Sequence, residues 1–166
     1  RGCRPFYGGY VALAPKHDVL GVRRAKIAEL RAFARGVPAD RESFAYGPGK
    51  WSVRQVTGHL GDAERVFGYR AFRISRGDRT PLASFDENLY VARGRFDDVA
   101  LTTLAAEFAH LRAANLAVLD RLDEAAWDEA GTASGHHVTV RALAWMMAGH
   151  VRHHLHILRD RYGLAS

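Results

Sequence analysis

Apolar residues recur every three or four positions along four long stretches of the chain, the period of a helix that buries one face. The first stretch runs from about Asp18 to Arg35 and carries Val22, Ala25, Leu30 and Phe33, with Gly36 and Pro38 as its stop. The second opens on Ser52 with Gln55 three places on, a capping box in which each side chain satisfies an orphan N–H of the first turn. Val56, Leu60, Ala63, Phe67, Ala71 and Ile74 continue it as far as Gly77, a residue suited to a helix end. The third spans about Asp98 to Leu122 on Leu101, Leu104, Phe108, Leu111, Leu116 and Leu119. The fourth begins at Thr139, a good N-cap, and reaches Tyr162 before Gly163.

The pattern breaks between Asp78 and Phe96. Ser84 and Glu87 repeat the capping-box spacing there and predict a short helix from about Phe85 to Arg93. So long a connection must lie over something, as packing on the core or as a lid on a site. A turn of helix is expected at Glu124–Trp127, and Gly131–Val138 reads as loop. Alternation of the strand kind is conceivable only near the N-terminus. The expected fold is all-α, a four-helix bundle with a short extra helix between its second and third long helices.

A length of 166 residues suits a single domain, residues 1–166, with Arg1–Pro15 set apart as an extension. Cys3 stands alone, so no internal disulfide and no cysteine zinc cluster can form; a metal site would use His, Asp or Glu. One cysteine is compatible with the cytoplasm, the expected location. No apolar run reaches the roughly 18 residues of a membrane span, and Arg1–Tyr10 is too short in apolar residues and too rich in Gly for a secretory signal. The formal charge of +6 is scattered as arginines among acids rather than gathered in a block. With no helix-turn-helix, zinc finger or aromatic single-strand platform, nucleic acid is not an expected partner.

The histidines change the picture. A helix turns by about 100° per residue, so with His150 at zero, Leu143 falls at about 20°, His154 at about 40° and Met147 at about 60°. All three share the apolar sector. His153 falls at about −60°, on its edge, and His156 at about −120°, on the polar side. On the second helix, with His59 at zero, Ala63 lies at about 40°, Phe67 at about 80° and Leu60 at about 100°, so His59 is inside the apolar sector too. Glu64 falls at about 140° and Asp62 at about −60°, beyond its two edges. Imidazoles at i and i+4 can share one metal ion, and bundle cores hold such sites between facing helices. From spacing alone these residues are either ligands or satisfied core histidines.

The run from Gly49 through Trp51, Ser52, Gln55, His59, Asp62 and Glu64 to Arg65 resembles the signature of the DinB-like (damage-inducible, YfiT-like) superfamily. Tyr69-Arg70, Pro81-Leu82 with Phe85-Asp86-Glu87, Trp127, and Gly149-His150-Val151-Arg152-His153-His154 extend the resemblance over roughly residues 34–161 in family order. It implies a four-helix bundle with a three-histidine metal site on His59, His150 and His154, taking a divalent ion such as Zn, Ni, Fe or Mn. It also implies a small-molecule substrate, with a low-molecular-weight thiol such as bacillithiol or mycothiol as co-substrate, and a homodimer.

The expected function is therefore a metal-dependent enzyme, an S-transferase-type reaction or a hydrolysis. Three protein ligands leave a coordination position for thiol or water. Asp62, Glu64, Asp86, Glu87 and Tyr90 are candidate helpers, each also readable as a solvated or capping residue, and His153 reads as surface. The alternative is a non-enzymatic metal-binding stress-response module, whose metal would be closed off by Asp62 or Glu64.

Overall fold

The computed structural model describes residues 18–164, and Arg1–Pro15, where the sequence allows a strand, lies outside them. Four long helices form the body: α1 (Val19–Gly36), α2 (Val53–Ser75), α4 (Leu101–Leu119) and α6 (Val140–Asp160). Two short ones, α3 (Glu87–Arg93) and α5 (Glu124–Asp128), sit in the connections. α4 packs on α1 and α2, and α6 packs on the same two. α1 and α2 thus face each other across one diagonal, α4 and α6 across the other. No helix of the described residues is long and apolar enough to cross a membrane.

The predicted caps form. Ser52 Oγ accepts from the Gln55 N–H at 3.1 Å, and Gln55 Oε1 from the Ser52 N–H at 3.0 Å. Asp97, in a 3₁₀ turn at Phe96–Asp98, then takes Ser52 Oγ–H and Gln55 Nε2–H, both at 2.6 Å, and so clamps the start of α2. Thr139 caps α6, and Gly77 and Gly163 adopt positive φ just past α2 and α6.

Four expectations need correction. Residues 130–139 are not loop: β1 (Ala130–Ala133) pairs antiparallel with β2 (His136–Thr139). Their two-residue turn is Ser134-Gly135, both at positive φ, a geometry that matches strand twist. The α3 cap is Asp86, whose carboxylate accepts from the Asn88 and Leu89 N–H groups, so Ser84–Glu87 is no capping box. α4 starts at Leu101, because the chain before it is spent on the clamping turn. On α1, Ala25 is exposed and Arg23 is buried: the inward face runs Val19, Arg23, Leu30, Phe33, Ala34.

The core falls into two apolar clusters. One holds Leu30, Phe33, Val56, Leu60, Leu101, Phe108, Val151 and Leu155; the other holds Val19, Ala63, Phe67, Leu119, Leu143 and Met147. Along α1, α4 and α6 the residues at the change from one cluster to the other include Arg23, Arg112 and His150, and α2 brings His59 and Glu64 beside it. A polar layer therefore crosses the bundle between two apolar halves.

Candidate metal centre

α2 and α6 bring His59, His150 and His154 together at one edge of this layer. His59 Nε2 and His154 Nε2 each lie 3.1 Å from His150 Nε2, and the three donor atoms fall within 4.8 Å of one another. The i, i+4 spacing stacks the α6 pair on one face, and the α2–α6 packing supplies the third ring. Trp51 lies against the His59 ring, centroids 4.8 Å apart, and Phe67 meets His150 edge-on at 6.0 Å. Trp51 is itself held: its carbonyl accepts from Tyr162 Oη at 2.7 Å.

Burial sets the electrostatics. It pushes the His59 imidazole down to about 4. Burial, with the neighbouring His59 and His153, pushes His154 down to about 3, and burial with His154 and His59 holds His150 well below its ordinary value. All three rings are neutral near pH 7 and offer lone pairs. His150 Nε2 has a single proton or a single lone pair, yet it faces two other ring nitrogens at 3.1 Å. A cation among the three would take all their lone pairs together. Nitrogens bound to one ion at ~2.0–2.1 Å stand on the order of 3 Å apart, so the trio fits a divalent metal. His59 Nδ1 is buried without a partner among the described residues, and Nε2 is the nitrogen of that ring that faces His150.

Among the described residues no carboxylate joins the three nitrogens. Glu64 is turned into the core, where Arg23 and Arg112 hold it. Burial would raise its carboxyl, but Arg112 and Arg23 bring it below the ordinary value. Asp62 stands 3.7 Å from Arg65 and lines an open groove of about 350 Å³ with Leu89, Tyr90, Arg93 and Gly94. Burial raises the Asp62 carboxyl, against the pull of Arg65. Asp86 caps α3, and Glu87 is exposed. His153 is half-buried with its ring 5.1 Å from that of His154, closer to the site than expected; His156 is exposed.

The 78–96 connection reaches this edge through a run of ring contacts. Tyr90 packs on Phe85 at 5.4 Å, Phe85 on Phe67 at 6.4 Å, and Phe67 on His150. Arg70 fastens the connection, donating to Ala83 O at 2.7 Å and Ser134 Oγ at 2.8 Å, and Leu82 bridges to Ala133 of β1. Sequence reasoning missed Arg23 and Arg112. The signal was present: Arg112 occupies the stripe position between Phe108 and Leu116, one turn from each.

The fold has known counterparts. YfiT from Bacillus subtilis, described as a probable metal-dependent hydrolase with an unusual four-helix bundle topology, superposes with a TM-score of 0.79 at 21% identity, over 90% of this chain and 89% of that one. A mycothiol-dependent maleylpyruvate isomerase superposes with a TM-score of 0.71 at 17% identity, over 92% of this chain and 62% of that one. No curated protein matches the sequence. The family model of the DinB superfamily matches residues 24–158, and the chain belongs to that superfamily.

Proposed function

We propose that this protein is a metal-dependent enzyme whose ion is held by His59, His150 and His154 and whose reaction is an S-transfer with a low-molecular-weight thiol. One observation carries the reading: three neutral imidazoles converge on one point and no protein carboxylate among the described residues closes it. A divalent ion there would supply Lewis acidity, lowering the pKa of a thiol or water near it. The chain's own residues do the rest. Trp51 and Phe67 bracket the rings, Phe85 and Tyr90 extend the aromatic run from Phe67, and the groove by Asp62 and Arg93 has room for a small molecule. The thiol-dependent isomerase with the same fold supports a thiol as co-substrate.

Hydrolysis is the second reading, favoured by the same open position and by the description of YfiT. Neither closing candidate of the non-enzymatic alternative joins the three nitrogens: Glu64 is held by Arg23 and Arg112, and Asp62 faces Arg65.

Metal analysis of the purified protein and of His154→Ala tests the centre. The wild type should hold one ion per chain and the variant clearly less; equal stoichiometry in both would sink the three-histidine assignment. Titrating thiols into the cobalt(II)-loaded protein then separates the reactions. A sulfur-to-cobalt charge-transfer band supports S-transfer, and its absence with hydrolysis of test esters or amides supports the second reading.

A further inference from the structure

The charged residues beside the imidazoles supply no ligand to the metal centre. Arg23 and Arg112 are each 0% exposed, and they share one carboxylate, Glu64, that is 2% exposed. Arg23 Nη2 donates to Glu64 Oε1 at 2.9 Å and Arg112 Nη2 to Oε2 at 2.7 Å; Asn115 Nδ2 adds 2.9 Å to Oε1. Two guanidinium groups against one carboxylate leave a buried surplus of one positive charge. Nε and Nη1 of both arginines are buried without a hydrogen-bond partner among the described residues. A neutral Arg–Glu pair would tie α2 to α4 without that surplus, so the second arginine is a cost to the fold that pairing does not explain.

Its position is informative. Arg112 Nη2 also donates to the Met147 carbonyl at 2.9 Å, three residues before His150 on α6. The cluster is therefore joined to the turn that carries the central imidazole. Charges interact strongly in a low-dielectric interior, where water does not screen them.

We propose that Arg23, Glu64 and Arg112 are positioning residues of the metal centre: Arg112 fixes the α6 turn that carries His150, and the surplus charge lowers the affinity for a divalent cation while favouring an anionic exogenous ligand such as a thiolate. This rests on the reading of the three histidines as a metal centre.

Zinc affinity, measured by competition with a chromophoric chelator, tests it in wild type, Arg23→Met and Arg23→Met with Glu64→Gln. Arg23→Met leaves a neutral Glu64–Arg112 pair and should bind zinc on the order of tenfold tighter, the scale on which outer residues tune metal sites. The double variant leaves Arg112 alone, restores the single positive charge, and should return close to wild type. A purely structural network would only weaken binding when broken. Unchanged or weaker binding in Arg23→Met, with helicity and stoichiometry intact, overturns the proposal. If Arg23→Met does not fold, Arg23→Gln removes the same charge and keeps a donor for Glu64 Oε1. Wild type that takes up no zinc overturns the metal centre itself, and this inference with it.

Discussion

Burial keeps His59 and His154 uncharged, and this has a definite consequence for acid stability. Their folded-state values, about 4 and about 3, lie below the ordinary 6.5, so the unfolded chain binds protons first. Stability of the metal-free protein should be fully present above about pH 6.5 and be lost progressively as pH falls toward 4 and 3. Urea midpoints followed from pH 7 to pH 4 check this, with His59→Phe expected to flatten the profile. Glu64→Ala strands two buried arginines and should cost about 3–5 kcal/mol, read by urea unfolding; a loss under about 1 kcal/mol would mean the cluster is solvated. The histidines were legible in the sequence because an angle count separates an inward His from an outward one. What that count does not show is that Glu64 pairs with Arg23 and Arg112, since a partner on another helix cannot be read from the face of one helix.

Among the elements, α2 is the one whose start was written most plainly, in Ser52 and Gln55. What the spacing did not show is that Asp97, 45 residues on, grips both side chains. Gly58 makes this grip close: a Cβ there would come 2.3 Å from the Phe96 ring. Gly58→Ala should therefore displace the 3₁₀ turn and destabilise by about 1–3 kcal/mol, despite alanine's better helix propensity. Chemical denaturation measures it, and a gain in stability would show that Phe96 simply moves aside. The hairpin at 130–139 escaped because its strands are four residues each and carry no clean alternation; the Ser134-Gly135 pair was its one local signal. The cap of α3 was misplaced because Ser84 and Asp86 are both good N-caps and spacing alone cannot choose between them.

For the whole molecule, the bundle was legible from four periodic stretches, but the helix arrangement was not, because which stripe meets which is a property of pairs of helices. The 78–96 connection offered two readings, core packing or lid, and the contacts are those of packing: Phe85 meets Phe67, which meets His150. Phe85→Ala should speed amide hydrogen exchange across residues 78–96 while protection in α2 and α6 stays as it was; equal loss in the helices would make the connection part of the core. His59 and His150 are 91 residues apart in the chain, whereas His150 and His154 are four apart. An ion bound by all three would act as a removable cross-link closing a long loop, holding α2 to α6 much as a disulfide would. The local pair alone closes almost nothing and can capture metal in the unfolded chain as well. Losing His59 should thus weaken metal uptake, and whatever ion the local pair still holds should add little thermal stability.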